Sequence, residues 1–220
     1  MSGAHQLTAG GSLGLLIAVV LAQPACVPAG FLAGAVFPQK VPAAYRLQDQ
    51  TTLILVDDPM HILDDPPFGH ALAHQTQLAL AQRRLVRRIV PVDELMQLEA
   101  RSGSAYPQMP INQIAAAVGA RQVIHVNIDR FVIGPAGIVA TCTVRVIDAT
   151  DGIQRFPRAQ MTDPASSGQV NVQMAPPPSI EMTVPSRMLL DRELARRLGA
   201  RIASLFADRP SGPSPPEPAT

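Results

Sequence analysis

One polar segment has the residue types of a metal or acid/base site. It reads VDDPMHILDDPPFGHALAH, runs from Val56 to His74, and contains four aspartates and three histidines directly after an apolar run. Carboxylates and imidazoles bind metal ions and move protons in enzymes. Asp57 follows a predicted strand, where α/β proteins place ligand groups, and His70 and His74 are one helical turn apart. Together with one of the later aspartates, these three residues are a candidate metal site.

The same segment also has a structural interpretation. Asp-Pro pairs form turns, and Asp commonly caps helices. His70 and His74 fall on or beside the predicted buried stripe of a helix, and no Glu follows His70 to complete a zinc hydrolase motif. We therefore interpret the segment as a structural connection and expect no cofactor. A metal-binding protein or metal-dependent enzyme that uses Asp57, His70 and His74 is the alternative.

A second polar row follows two predicted neighbouring strands. His125, Asn127 and Asp129 alternate with apolar residues along the first strand, and Arg145 lies on the second. Such a row predicts either a contact for a partner protein or the solvated face of a hairpin, with a cross-strand Asp129–Arg145 pair worth roughly 0.2–1 kcal/mol. Phe131 shares this face, so a helix is expected to cover part of it.

Composition excludes several classes of function. The net charge is +1, so the chain has no long-range positive field for nucleic acid. Aromatic residues make up only 4% and Trp is absent, which argues against a stacking surface for bases. The sequence contains neither a glycine-rich phosphate loop nor a GxSxG nucleophile motif. We expect a protein that is not an enzyme and does not bind nucleic acid.

The amino-terminal region predicts export. Residues Leu13 to Ala25 form an apolar run that is shorter than the roughly 20 residues of a membrane span and fits the core of a secretory signal. The run ends in QPAC, which is similar to a lipoprotein signal that attaches lipid to Cys26. Ordinary cleavage near Ala22 and an uncleaved anchor are the alternatives. We expect a protein of the periplasm or cell envelope, anchored in the outer membrane through lipid.

Composition divides the chain into four parts. These are a signal peptide (1–25), a flexible tether (26–45), one domain (46–208) with an irregular loop (158–185), and a disordered tail (209–220). The second cysteine, Cys142, falls in a predicted strand and is expected to be a buried free thiol.

Hydrophobic periodicity predicts an α+β fold, an α/β three-layer domain whose mixed sheet contains an antiparallel hairpin and is flanked by helices. The element order is β-α-(β)-α-α-β-β-β-α. The predicted elements are a strand over 51–56, a helix over 69–89 whose buried face includes His74 and Leu78, short helices ending near Leu98 and Val118, a hairpin over 121–148, a strand over 153–156, a brief strand near Val170 and a helix over 186–207.

Three segments in this order carry a resemblance: TTLILVDD, INQIAAAVGARQVIHVNIDRF and TVRVIDATDG. They place a short helix before Gly119, a strand from Gln122, and Asp148 with Thr150 and Gly152 at a turn. The chain resembles bacterial envelope lipoproteins of the penicillin-binding-protein activator and curli-secretion type, and the amino-terminal domain of the Tol periplasmic propeller protein. The resemblance implies a protein-binding module without catalytic residues. Its partners would be envelope proteins of unknown identity, with a homo-oligomer as a further option.

Overall fold

The structure, a computed structural model, describes residues 40–60, 62, 67–134, 137–158, 167–175 and 184–210. Of these, the residues within Val41–Arg209 belong to one compact unit, and Lys40 and Pro210 belong to a second one. The predicted signal peptide, Cys26, the tether as far as residue 39 and the tail from residue 211 lie outside the described residues. No helix in the described part of the chain is long and apolar enough to cross a bilayer.

The elements follow the predicted order with short additions. The strands are β1 Lys40–Val41, β2 Thr51–Asp57, β3 Arg88–Ile89, β4 Gln122–Gly134, β5 Gly137–Asp148, β6 Gln154–Phe156, β7 Gln169–Met174 and β8 Arg209–Pro210. The helices are α1 Pro67–Gln82, α2 Val92–Ser102, α3 Ile111–Ala117 and α4 Val184–Ser204, with a 3₁₀ helix over Gly103–Gln108.

The main sheet is mixed. Its strand order is β3-β2-β4-β5-β6, and β7 also pairs with β5. β2 lies parallel to β3 and β4, whereas β5 lies antiparallel to β4, β6 and β7. β1 and β8 form a separate two-stranded sheet. The predicted α+β class and its antiparallel hairpin are confirmed.

Each face of the main sheet has its own core, because alternate residues of a strand point to opposite faces. The first face packs against α1 and α4. Its buried residues include Ile54, Ile124, Val126, Val144, Leu72, Leu80, Leu194 and Leu198. The second face packs against α2, the 3₁₀ helix and α3. Its buried residues include Leu53, Leu55, Val123, Leu95, Leu98 and Ile114.

The buried side of α1 differs from the predicted one. Leu72, Thr76 and Leu80 are fully buried, whereas His74 is exposed and Leu78 is 42% exposed. Ala and Leu residues occur all around this helix, so hydrophobic periodicity does not fix its rotation. The Thr76 hydroxyl donates to the Leu72 carbonyl oxygen at 2.7 Å, so this polar side chain enters the core with its donor satisfied. The prediction that His74 and Leu78 face the core is wrong.

Helix α1 also ends seven residues earlier than predicted. Arg84 has a positive φ of 54°, its N–H donates to the Ala81 carbonyl, and the Leu85 N–H donates to the Leu80 carbonyl. This pattern is a Schellman motif, which ends a helix with one left-handed residue. Glycine is the usual residue there, and its absence conceals the helix end from sequence reasoning.

Helices α1 and α4 cross at a glycine. A Cβ atom at Gly199 would lie 2.8 Å from the Gln75 carbonyl carbon and 2.8 Å from the Thr76 backbone nitrogen. Backbone atoms move only if a whole helix moves, so this position admits glycine alone. The close approach explains how α1 and α4 both reach the same face of the sheet.

Two segments expected to lie outside regular structure contribute to the domain. The interval 158–185 contains β7, at the place of the brief strand expected near Val170, and Val170 and Val172 are buried. Ala44 and Tyr45, at the end of the predicted tether, pack against the core of the first face. Cys142 is a buried free thiol as predicted, and burial raises the pKa of this thiol to about 12.

Candidate functional site

Polar side chains replace apolar ones on the second face of the sheet at the carboxyl end of β2. The parallel register sets Leu55 opposite His125 and Asp57 opposite Asn127. Because side chains alternate along a strand, Asp57, His125 and Asn127 lie on the same face as Leu55. The apolar core under α2 therefore ends at a group of a carboxylate, an imidazole and an amide.

His125 is the deepest of these groups. It is 6% exposed, and its Nε2 lies 3.7 Å from Asp57 Oδ2, which is longer than a hydrogen bond. Neither ring nitrogen has a hydrogen-bond partner, and the buried Oδ1 of Asn127 has none either. Buried polar atoms are nearly always paired, so each exception requires an explanation.

The 3₁₀ helix adds a hydroxyl to this group. Tyr106 packs beside the core of the second face, and its buried hydroxyl makes no hydrogen bond of ordinary geometry. Burial raises the pKa of Tyr106 most, followed by the Glu99 carboxylate, through its charge and a weak hydrogen bond from the hydroxyl, and then by the Asp57 carboxylate. Tyr106 therefore lies close to both carboxylates and remains a neutral hydroxyl at neutral pH.

His70, in the first turn of α1, connects to this group through a contact with Glu99 on α2. Its Nε2 lies 3.1 Å from Glu99 Oε2 on α2. β3 pairs only with Thr51 and Thr52, so the carboxyl half of β2 is not covered by it. The two side chains are 34% and 29% exposed, so solvent screens the pair and its contribution is about 0–1 kcal/mol.

These side chains define one site, which we name the open cluster. Its members are Asp57, His70, Glu99, Tyr106, His125 and Asn127.

The open cluster contains two of the three residues on which the metal hypothesis centres. Asp57 and His70 belong to it, but His70 bonds to Glu99, and His74 is exposed on α1. In residues 40–60, 62 and the later described segments, no three His, Cys, Asp or Glu side chains form a group that could hold a metal ion. The described residues thus do not assemble the predicted set.

The connection between β2 and α1 has one turn contact of the kind that the structural interpretation predicts. Asp58 Oδ1 accepts the N–H of Ile62 at 2.9 Å. An Asp side chain that bonds to a later backbone N–H stabilises a turn. Asp64 and Asp65, the other predicted ligands, lie outside the described residues.

The predicted partner row is divided by a β-bulge. The β4–β5 register shifts between Ile128 and Arg130, so Asp129 is an extra residue that β5 does not match. Side chains beyond the bulge change face, and Phe131 packs on the first face with its ring centroid 5.9 Å from that of Phe68. The prediction that Phe131 shares a face with His125 is therefore wrong.

The four residues of that row have different surroundings. His125 is buried, so a solvated face is the wrong description of its position. Asp129 is exposed and accepts a hydrogen bond from the Thr143 hydroxyl at 2.6 Å. Arg145 lies opposite His125. The predicted Asp129–Arg145 pair is therefore replaced by the Thr143–Asp129 contact.

A different polar network lies at the amino end of β2, and we name it the paired network. Gln122 and Thr52 are buried. Gln122 Nε2 donates to the Thr52 hydroxyl at 3.0 Å, and Gln122 Oε1 accepts the Gln48 N–H at 3.2 Å. The Thr52 hydroxyl in turn donates to the Gln50 carbonyl at 3.1 Å. Both ends of the Gln122 amide are thus bonded within the protein.

The turn after β5 is bonded in the same way. Asp148 Oδ1 accepts the Thr150 hydroxyl at 2.6 Å and the Thr150 N–H at 3.0 Å, and Asp148 Oδ2 accepts from Arg155 at 3.0 Å. Gly152 has a positive φ of 70°, which glycine adopts without strain. Asp148, Thr150 and Gly152 therefore have structural roles, and the Thr150 hydrogen bonds lead the causes that lower the pKa of Asp148 to about 2.

Sequence reasoning missed Glu99 and Tyr106. Glu99 lies on a charged helix face that resembles any solvated surface. Tyr106 is one of only two tyrosines in the chain, and its rarity was the one available signal. Neither residue is close in sequence to Asp57 or His125, so only the packing of α2 and the 3₁₀ helix brings them together.

The open cluster is suited to hydrogen bonding. Its buried atoms include a hydroxyl, an imidazole and an amide oxygen, so it can both donate to and accept from an incoming polar group. Its Asp57 carboxylate is 56% exposed and gives the cluster an opening to solvent.

Comparisons with known proteins give structural neighbours alone. No family model and no curated protein matches the chain. It is similar to the PelC dodecamer protein from Paraburkholderia phytofirmans (16% identity, TM-score 0.38), with 77% of this chain and 96% of that chain covered. It is also similar to lipoprotein GNA1162 from Neisseria meningitidis (13%, TM-score 0.41, coverage 67% and 95%). Hypothetical protein CT253 from Chlamydia trachomatis is a further neighbour (11%, TM-score 0.37, coverage 70% and 98%).

These likenesses are low in both identity and TM-score, and they do not extend to function. One neighbour is named a lipoprotein, the class that the sequence predicts for this chain. Membership of the predicted lipoprotein family remains a prediction.

Proposed function

We propose that this protein is an exported, non-enzymatic envelope lipoprotein whose α+β domain binds another envelope protein at the open cluster. The observation that carries the proposal is a group of four buried polar atoms that make no hydrogen bond of ordinary geometry: the Tyr106 hydroxyl, the two His125 ring nitrogens and Asn127 Oδ1. Among the described residues, the other two such atoms are Nε of Arg155 and Nε of Arg209, which belong to other elements. A partner that inserts polar groups beside these atoms would complete their hydrogen bonds.

Energetics support binding at this place. An unsatisfied buried donor or acceptor costs about 1–3 kcal/mol. A domain that keeps several such atoms at one place is less stable than it could be, and functional sites commonly have this property. Partner binding would recover part of that free energy, so the same atoms that weaken the isolated domain would strengthen the complex.

Two exposed residues support a contact surface at this end of the sheet. Asp57 opens the cluster to solvent, and the bulge directs the exposed Asp129 away from the apolar core. Asp57 belongs to the cluster, and Asp129 lies two residues beyond Asn127 on β4. A partner with donor groups, such as Arg, Ser or backbone N–H, fits this arrangement.

Export is tested by lipid labelling. Cells are given a fatty-acid analogue and their membranes are fractionated, for the natural chain and for Cys26→Ser. We expect label in the outer-membrane fraction for the natural chain and none for the variant. An unlabelled chain that is found whole in the cytosol would contradict the proposal.

Partner binding is tested by site-specific photo-crosslinking in living cells. A photoreactive residue at Asp129 is expected to give a discrete crosslinked product. The control is the same residue at Ile153, which is 52% exposed and follows the turn at the far end of β5. Equal products from both positions, or none from Asp129, would remove the open cluster as the binding site.

A further inference from the structure

Strand β7 is an edge of the main sheet. It pairs with β5 in antiparallel register over its whole length, and in the described part of the chain no second strand pairs with it. Its apolar side chains are buried and its amide side chains are exposed. The exposed residues are Gln169, Asn171 and Gln173.

The hydrogen bonds to β5 show which backbone groups of β7 point outward. The Val144 N–H donates to the Gly168 carbonyl at 2.8 Å, and these residues are opposite each other when the register is extended by one pair. In an antiparallel ladder such hydrogen-bonded pairs alternate with non-bonded ones. Val170 and Val172 therefore bond to β5, whereas the N–H and C=O groups of the three amide residues point away from the sheet.

The sequence of this edge is the same in both directions. Residues 169–173 read QVNVQ, with Asn171 at the centre. We propose that β7 pairs with β7 of a second copy of this chain, antiparallel, about a two-fold axis at Asn171. This interface goes beyond the proposed function, because it uses a different surface and a different partner.

Only this register gives a hydrogen-bond partner to every N–H and C=O group of β7 that points away from the sheet. Around an axis at Asn171, that residue lies opposite Asn171 of the second copy, and Gln169 lies opposite Gln173. Each of the three residues then donates one N–H and accepts with one C=O across the axis. An axis at Val170 or Val172 leaves one outward residue of each copy without a partner.

The edge also lacks the features that usually prevent pairing. Proteins guard free edges with Lys, Pro, inward charges or bulges, and QVNVQM contains no charge and no Pro, and its register with β5 is regular. Helix α4 packs against β7, and its Met188 and Leu189 are each 67% exposed. The two-fold axis would place both α4 helices on the same face of one continuous sheet.

Disulfide trapping tests the symmetry directly. The full chain is purified in detergent with Asn171→Cys, with Gln173→Cys, or with both Gln169→Cys and Gln173→Cys, and is oxidised beside the unsubstituted chain. Residues of a bonded pair have Cα atoms about 5.5 Å apart, which suits a disulfide. Two Gln173 residues would be about 14 Å apart across the axis.

We expect crosslinked dimer from Asn171→Cys and from the double variant, and none above the unsubstituted chain from Gln173→Cys. Equal crosslinking of both single variants would show random collision and overturn the proposal. No crosslinking of Asn171→Cys would also overturn it, and would show that another part of the chain or another protein covers the edge.

Charge provides a second test that does not depend on oxidation. Asn171→Lys places two like charges opposite each other at the axis, and we expect it to weaken self-association by about fivefold in sedimentation. Asn171→Ser is the neutral control and should self-associate as the natural chain does. Asn171 is exposed, so both variants should keep the natural fold. Equal self-association of the two variants would contradict the proposed register.

Discussion

The two ends of β2 contain buried polar groups in opposite states. At the amino end, the paired network bonds both ends of the Gln122 amide and the Thr52 hydroxyl inside the protein. At the carboxyl end, the open cluster leaves the Tyr106 hydroxyl and both ring nitrogens of His125 without a hydrogen bond of ordinary geometry. The paired network is thus bonded within the protein and the open cluster is not, so the open cluster is where a partner can supply hydrogen bonds.

The largest expected effect on stability is for Gly199, the residue at which helices α1 and α4 cross. Gly199→Ala places a methyl group 2.8 Å from the backbone of α1, so α1 and α4 must separate. We expect a loss of about 3 kcal/mol in the free energy of unfolding, measured by urea denaturation.

Gly69→Ala is the matched control for this substitution. It also replaces a helical glycine, but its Cβ would meet only Val56 at 3.8 Å. We expect a small gain in stability, because alanine is the better helix former. If both variants lost stability equally, the close crossing of α1 and α4 would be refuted.

Removing a hydroxyl from the paired network is expected to be nearly as costly. Thr52→Val keeps the shape of the side chain but takes away the acceptor of Gln122 Nε2 and the donor to the Gln50 carbonyl. Buried groups that lose their partners cost about 1–3 kcal/mol, and we expect about 2 kcal/mol by urea denaturation. An unchanged stability would mean that the two ends of β2 do not differ as described.

Acid should lower the stability that the Asp148 turn after β5 contributes to the fold. The pKa of Asp148 is lowered from 3.8 to about 2 in the folded protein, first by the hydrogen bonds from Thr150. This contribution to stability is therefore present above about pH 3.8 and is lost as the pH falls from there toward 2.

Thermal melts between pH 5 and pH 2 test this expectation. Asp148→Asn should melt about 3 °C lower than the natural chain at pH 5, and the difference should shrink as the pH falls. Glu193, whose pKa is also lowered to about 2 by Arg196 and Arg197, is present in both proteins and cancels in the comparison. A difference that stays constant with pH would contradict the account of Asp148.

The smallest effect is expected for the hydrogen-bonded His70–Glu99 pair of the open cluster. A double-mutant cycle with His70→Ala and Glu99→Ala should give a coupling free energy of about 0.5 kcal/mol, because both side chains are partly exposed. A coupling of several kcal/mol would show that α1 and α2 are joined much more firmly at this end than the open cluster implies.

The sequence predicted the fold better than it predicted the site. Continuous apolar residues identified β2, and alternation identified β4 and β5, because both patterns follow from burial alone. Three features have no such pattern: the rotation of α1, the helix end at Arg84, and the bulge at Asp129. The rotation of α1 depends on the buried hydroxyl of Thr76.

The open cluster was predicted in part. Asp57, His70, His125 and Asn127 were selected from the sequence, but in two separate hypotheses. The parallel register of β2 and β4 joins them, and the packing of α2 and the 3₁₀ helix adds Glu99 and Tyr106. Sequence spacing carries no information on contacts between elements so distant along the chain.

The most direct test of the central claim is Tyr106→Phe, measured for both stability and binding. The substitution removes a buried hydroxyl that makes no hydrogen bond of ordinary geometry, so we predict a gain of about 1 kcal/mol in the free energy of unfolding together with a loss of the photo-crosslinked product at Asp129. A variant that is less stable than the natural chain, or one that is more stable and crosslinks as before, would contradict the account.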